Sequence, residues 1–208
     1  MSESKLRTQS MDYSCYADCL NQHRQGVYEM KKVTVINASP RKNGNTVQIL
    51  EQFLNKCDYL INIYNIYDEK IAPCTACNFC EKSGKCVNND MKKIIESIFD
   101  SDYIVFASPV YCYSFPAPMK AFLDRLQPYY SDEKYKNPTF SRKGFLLLSC
   151  GKSGKYSVEI MEKQTRIAFM ELEASFEGLC LFSGTDFCKK MTAEKQDEVL
   201  SAAEKFFN

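Results

Sequence analysis

From Lys31 onward, short strand-like runs alternate with helical patterns five times, and this alternation constrains the fold more than any other feature of the chain. Lys32–Asn37 is a β-branched run that fits a buried parallel strand. Val47, Leu50 and Leu54 then recur at helical spacing. Tyr59–Tyr67 predicts a second strand. Met91, Ile94, Ile95, Ile98 and Phe99 follow at i, i+3, i+4, i+7 and i+8, the signature of an amphipathic helix. Tyr103–Ala107 predicts the third strand, and Met119, Phe122, Leu123 and Leu126 the next helix. Gly144–Ser149 predicts the fourth strand, Tyr156–Met170 a helix, and Phe176–Phe182 the fifth strand. Val199, Leu200, Ala203, Phe206 and Phe207 share one side of a last helix. Such repeats predict a doubly wound α/β domain, in which ligands bind beyond the carboxyl ends of the strands where strand order reverses. The loops after strands one, three and four are therefore where chemistry is expected.

A chain of 208 residues buries a full core. Its 27 basic and 26 acidic residues leave a net charge of +1, which offers no footprint for nucleic acid and no basic run for a membrane surface. No apolar run nears the roughly 20 residues that span a bilayer. Met1–Ser10 is polar, without the apolar stretch of an export signal. With several of the eleven cysteines in expected strands, a reducing cytoplasm follows as the expected compartment. Residues 1–30 read as an arm or short helix ahead of a main domain at 31–208. Tyr16, Cys19, Leu20 and His23 share a helical face there, and Cys15 and Cys19 fit that apolar face better than a ligand pair. Tyr129–Arg142 is the one long polar connection, a lid or a subunit contact.

Ser39-Pro40-Arg41-Lys42-Asn43-Gly44-Asn45-Thr46 follows the first strand and opens a helix. A helix N-terminus presents backbone N–H groups and the positive end of the dipole, so it attracts phosphate. Ser39, Asn45 and Thr46 add donors, Arg41 adds charge, and Gly44 permits close approach. Neither Gly-x-Gly-x-x-Gly nor Gly-x4-Gly-Lys-Ser/Thr is present, which points to a monophosphate rather than a dinucleotide or triphosphate. The same residues also serve in ligand-free helix caps.

Between Pro73 and Asn88 lie Cys74, Cys77, Cys80 and Cys86, a Cys-x2-Cys-x2-Cys-x5-Cys array within a cysteine-rich loop at 73–90. Four thiolates suit an iron–sulfur cluster or zinc, and a third reading leaves them as free or redox-active thiols. Structural zinc usually separates two Cys-x2-Cys pairs by a longer loop. Cys57, Cys150, Cys180 and Cys188 read as small core or strand residues. No acid–base constellation stands out. Adjacent Asp124 and Arg125 read as a structural or interface ion pair.

The phosphate loop, Ser108-Pro109-Val110-Tyr111 after strand three, and Met119-Lys120-Ala121-Phe122-Leu123-Asp124-Arg125 on the next helix together resemble the flavodoxin-like NADPH-dependent FMN reductase family. Its members carry Gly-Ser-Pro-Arg-x-x-Gly-Asn-Thr, Ser-Pro-(Val/Ile)-Tyr and Met-Lys-x-Phe-(Leu/Ile)-Asp-Arg in that order. The cysteine array with Gly84-Lys85-Cys86-Val87 and Asp90-Met91 resembles the iron–sulfur flavoprotein branch. The resemblance covers Lys31–Gly151 and implies a flavodoxin-like sheet of five parallel strands in the order 2-1-3-4-5, with helices on both faces. It implies that Ser39, Arg41, Asn43, Asn45 and Thr46 hold the FMN phosphate. Pro109, Val110, Tyr111 and Cys112 would line the isoalloxazine, and Cys150 and Gly151 would close its other side. Cys74, Cys77, Cys80 and Cys86 would ligate a [4Fe–4S] cluster. Cys112 departs from the pattern, standing where an aromatic residue is common. Asn88-Asn89-Asp90 replaces an acidic pair and leaves Asp90 to cap the following helix.

The implied activity is an FMN-dependent NAD(P)H oxidoreductase in which the flavin, rather than any side chain, carries the chemistry. Electrons pass from the nicotinamide to a small-molecule or protein acceptor, directly or through the cluster. The implied assembly is a homodimer or homotetramer. Alternatives are a cluster-free reductase of quinones, nitro compounds or free flavin, and a non-enzymatic electron carrier. Near-neutral charge argues against a carrier, which docks on basic partners through an acidic surface. A zinc knuckle on an inactive scaffold is a third option.

Overall fold

Strands β1 (Lys32–Asn37), β2 (Leu60–Asn65), β3 (Tyr103–Pro109), β4 (Arg142–Ser149) and β5 (Ala174–Phe182) form a parallel sheet in the order 2-1-3-4-5, with β3 at its centre and β1 beside it. The expected sheet order is borne out. The computed structural model describes residues 30–151, 154–187 and 190–208, apart from the side chain of Asp132. Cys15, Tyr16, Cys19, Leu20, His23 and Cys188 lie outside the described residues. No helix among the described residues is long and apolar enough to cross a membrane.

Period-two alternation along the strands divides the apolar side chains into two cores. Ile36, Ile104, Phe106, Leu146 and Leu148 face one way. They pack on Ile94 and Ile98 of α3 (Lys92–Phe99), Met119 and Phe122 of α4 (Ala117–Asp124), and Met161 and Phe169 of α6 (Lys155–Glu171). Val33, Val35, Val105 and Leu147 face the other way, against Ile49 and Phe53 of α1 (Asn45–Leu54) and Val199 and Phe206 of α7 (Ala193–Phe207). Each fully buried Phe or Ile contributes about 1.5–3 kcal/mol by leaving water. Together they make β1 and β3, covered on both faces, the rigid base of the site.

Boundaries shift from the sequence expectations for local reasons. Strand β2 stops at Asn65 because that side chain accepts the Tyr67 N–H (3.1 Å) and its carbonyl accepts the Asp68 N–H (2.9 Å). Tyr59 stays outside the strand, stacked on Tyr103 at 5.4 Å while its hydroxyl donates to the Phe207 carbonyl (2.9 Å). Strand β4 begins two residues early, where the Arg142 guanidinium caps α3 by donating to the carbonyls of Ile98 (3.0 Å) and Phe99 (2.6 Å). Two short helices were not expected: α2 (Phe79–Ser83) inside the cysteine loop, and α5 (Asp132–Lys136) inside the Tyr129–Arg142 connection. Cys180 is a buried β5 residue as expected, its thiol pushed up to about 11 by desolvation, so it is an inert core group.

Candidate functional site

Three loops leave the carboxyl ends of neighbouring strands β1, β3 and β4, and the chain reverses its strand order between the first two. After β1, Asn37 Oδ1 accepts the Ser39 N–H (3.0 Å), and the Ser39 hydroxyl donates to Arg41 O (2.9 Å) and accepts from Arg41 N–H (3.2 Å). The loop is thus held in shape by the side chain expected to bind phosphate. Gly44, extended at φ −84° and ψ 171°, is the N-cap of α1, and no side chain caps that end. A Cβ there would come within 3.1 Å of Arg41 Cβ, so the turn is tight enough to favour glycine. The result is a helix N-terminus whose backbone donors face the loop, with Arg41 and Asn43 exposed at the rim.

Thr46, buried in the first turn of α1, puts its Oγ1 2.7 Å from Ser149 Oγ at the end of β4. This hydroxyl pair ties the phosphate loop to the third loop, and neither hydroxyl is open to solvent. Thr46→Val keeps the shape but strands the Ser149 hydroxyl, and is expected to cost about 1–2 kcal/mol in urea denaturation. Replacing both partners, Thr46→Val with Ser149→Ala, should restore most of that loss. A double variant as unstable as the sum of the singles would show that the pair is not coupled.

After β3, Pro109 ends the strand and the Val110 N–H donates to Ser149 O (2.8 Å). Tyr111 and Ser114 exchange both backbone hydrogen bonds at 2.9 Å around Cys112 (φ +48°) and Tyr113 (φ +63°). Two consecutive left-handed residues make a tight turn of the type that normally uses Asn-Gly. Here two bulky residues hold it at a cost of about 1–2 kcal/mol each. Strain of this kind persists where the surroundings over-determine the backbone. It presents Tyr111, Cys112 and Tyr113 to solvent at the rim of the site.

After β4, the buried Cys150 donates its N–H to Phe182 O (2.9 Å), and its carbonyl accepts from Thr185 N–H (3.2 Å). Burial pushes its thiol up, so it stays protonated and packs rather than reacts. Gly151 is needed for space: a Cβ there would lie 2.3 Å from the Asp186 carboxylate. Asp186 is a site neighbour that sequence reasoning missed, because only the closing of β5 against β4 brings it near.

The cysteine loop leaves the far side of β1, from the end of edge strand β2. Cys74, Cys77, Cys80 and Cys86 line one cleft of about 780 Å³ together with Arg125, Gln127, Pro128 and Tyr130. Left-handed Ala76, Asn78 and Gly84 fold the loop back on itself around α2. Four soft thiols on one cleft are a donor set that suits an iron–sulfur centre or a zinc ion alike. Among the described residues, no three of them are gathered into a metal shell.

Asp124 and Arg125 do not pair with each other. Asp124 pairs with Lys120 one turn back, while Arg125 turns inward to Asp90. Asp90 in turn does not cap α3, whose N-cap is Met91; its carboxylate accepts the Ala72 N–H (2.9 Å) instead. Burial pushes that carboxyl up, but the Ala72 N–H and the Arg125 guanidinium outweigh it and hold the group below the usual carboxylate range.

The NADPH-dependent FMN reductase family model matches residues 31–178. An iron–sulfur flavoprotein of Archaeoglobus fulgidus is 36% identical over 104 residues, 48% of this chain and 47% of that protein. This chain thus spans about half the length of that relative, as it does for the other iron–sulfur flavoproteins it matches first. A candidate NAD(P)H-dependent FMN-containing oxidoreductase of Bacillus subtilis, YwqN, is 25% identical over 74% of this chain and 85% of its own. Among solved structures, an NAD(P)H:quinone oxidoreductase from Methanothermobacter marburgensis superposes with a TM-score of 0.62. It is 16% identical and covers 86% of this chain and 96% of its own, which shows the shared fold.

Proposed function

The chain belongs to the NADPH-dependent FMN reductase family, and on that premise we propose that it is an FMN-dependent oxidoreductase drawing electrons from NADH or NADPH. The observation that carries this reading is the uncapped N-terminus of α1, set beside the strained β3 loop at the point where strand order reverses. The residues fit the cofactor. Backbone donors of the Ser39–Thr46 loop with Arg41, Asn43 and Asn45 would hold the phosphate, while the buried Ser39 and Thr46 hydroxyls hold the loop. Pro109, Val110, Tyr111 and Cys112 would line one side of the ring system, and Cys150 and Gly151 the other. FMN, when bound, supplies hydride and one-electron transfer, and an iron–sulfur centre would extend the one-electron path. The protein's part is to orient, to exclude water beneath the rings through its two cores, and to leave the exposed rim open for nicotinamide and acceptor.

We further propose that Cys74, Cys77, Cys80 and Cys86 hold a [4Fe–4S] cluster that relays electrons to the acceptor. The shared cleft and the iron–sulfur flavoprotein relatives support this reading. A second reading, a reductase without a cluster, is favoured by one observation: the four thiols line the cleft but are not drawn together. Assembly into a homodimer or homotetramer is proposed through the Tyr129–Arg142 connection, where Tyr130 and Phe140 are each 50% exposed. A reducing compartment such as the cytoplasm suits the described cysteines, which are all outside disulfides.

Anaerobic purification with an absorbance spectrum, iron and sulfide counts, and NADH and NADPH oxidation tests these readings together. Flavin absorbance with about four irons per chain and nicotinamide turnover is the expected result. Flavin and turnover without iron would leave the cluster-free reductase. Flavin without turnover would leave only an electron carrier, and one zinc without flavin would remove the oxidoreductase altogether.

A further inference from the structure

One side chain closes the cysteine loop at both ends. Arg125, at the C-terminus of α4, is 1% exposed. Its Nη1 donates to the Ala72 carbonyl (3.1 Å) and pairs with Asp90. Its Nη2 donates to the Asn88 carbonyl (2.9 Å) and to Cys86 Sγ (3.2 Å). Ala72 lies just before the first cysteine of the array, and Asn88 and Asp90 lie just after the last. The Ala72 N–H closes the same ring of contacts by donating to Asp90 Oδ2 (2.9 Å). Between these anchors the segment from Pro73 to Lys85 is almost wholly exposed and has no buried apolar residue to hold it. Arg125 Nε, buried without a hydrogen-bond partner, is a cost the fold carries to keep a guanidinium there.

A residue chosen only to fill this position would be apolar, since an unpaired buried donor is unfavourable. A lysine would supply charge, but not the rigid fork that reaches two carbonyls, a carboxylate and a sulfur at once. We propose that Arg125 is the positioning residue of the cysteine loop. Its guanidinium clamps the two ends of the loop and fixes the Cys86 sulfur at the wall of the cleft the four thiols share, with or without a metal. In a metal-loaded protein, the same N–H···S bond draws electron density from the Cys86 sulfur, and such bonds help set cluster potentials. This second consequence rests on the cluster reading above.

The test is Arg125→Lys in the full chain, compared with the wild type. With iron chelated away, amide hydrogen exchange over residues 72–92 is expected to speed at least about tenfold, the loss of roughly one charge-assisted hydrogen bond, while exchange in β3 stays unchanged. After iron and sulfide reconstitution, the midpoint potential is expected to fall by about 59 mV, which is a tenfold change for a one-electron couple. Unchanged exchange over 72–92, or equal acceleration in β3, overturns the clamp. A potential that the lysine does not move overturns the role assigned to the sulfur contact. If the lysine variant does not fold, Asp90→Asn serves in its place: it removes the charge partner and leaves the other three acceptors. It should speed exchange over the same residues about threefold, and no change there overturns the clamp as well. Wild-type protein that takes up no iron sinks the cluster reading alone, because the exchange experiment is made without metal.

Discussion

Gly144→Ala is expected to cost about 3 kcal/mol of stability, the upper end of the range for forcing a methyl group into a packed core. Gly144 lies in β4, and a Cβ there would stand 2.3 Å from two carbons of the Phe169 ring and 2.9 Å from a third. That ring cannot yield. Phe169 is fully buried on α6, its centroid 4.6 Å from Phe106 on one side and 6.2 Å from Phe176 on another. Nor can the strand move freely, because its pairing with β5 shifts register between Gly144 and Phe145 and both neighbours are engaged on either side. The missing side chain is what lets α6 seat on the sheet. Urea denaturation checks the magnitude, with an unchanged denaturant slope as the sign that only stability has moved. Phe169→Leu should cost stability alone yet soften the loss when combined with Gly144→Ala. A glycine-to-alanine loss below about 1 kcal/mol would mean that the ring has room the packing denies it.

What could be read from the chain, and what could not, follows from how local each determinant is. Buried parallel strands are near-continuous apolar runs, so Lys32–Asn37 and Tyr103–Ala107 are recognisable without any knowledge of their neighbours. Ile94, Ile95 and Ile98 announce a helix face in the same way. The phosphate loop is equally local, since a strand, a Ser/Asn/Gly turn and a helix start are contiguous. Arg125 shows the opposite case. Its neighbour Asp124 is the obvious partner in sequence, but the guanidinium's direction is set by where α4 packs. That packing delivers it to Asp90, 35 positions earlier. Once Asp90 is taken, it is no longer available to cap α3, so one tertiary contact overturned two local expectations. Ser39 and Thr46 were expected to offer their hydroxyls to a phosphate, but those hydroxyls turn to the loop's own backbone and to Ser149, on β4. The left-handed pair Cys112–Tyr113 carries no Gly or Asn to signal its turn, and only the bridge between Tyr111 and Ser114 enforces it.

Raising the pH from about 4.5 to about 7 is expected to destabilise the protein by about 2 kcal/mol through one carboxyl group, Glu171. It is the last residue of α6, buried, and desolvation lifts its pKa from 4.5 to about 7 against the opposing pull of Lys134 and the Tyr135 hydroxyl. Its place at a helix C-terminus works in the same direction, since the dipole there disfavours negative charge. Between about 4.5 and 7 the native state holds a proton that the unfolded chain has released. Stability therefore falls as pH rises across that window, and the penalty is complete above it. A lift of that size has a ceiling of about 3 kcal/mol, which access of water to the carboxyl reduces to about 2. The effect should concentrate in one place. Lys134 donates to the Glu171 carbonyl (3.1 Å) and pairs with Glu173, so α5 is docked on the end of α6 through this cluster. Gln127 and Pro128, just ahead of the Tyr129–Arg142 connection, and Tyr130 within it wall the cysteine cleft. Glu171→Gln should flatten the stability profile between pH 5 and 8 and make the protein more stable than wild type at pH 8. Hydrogen exchange over 127–140 in the wild type should rise across the same interval and stay level in the variant. A wild-type profile that is flat, or that climbs with pH, would mean that Glu171 is already ionised at pH 5. The coupling between α5 and the cleft would then have to come from Lys134 alone.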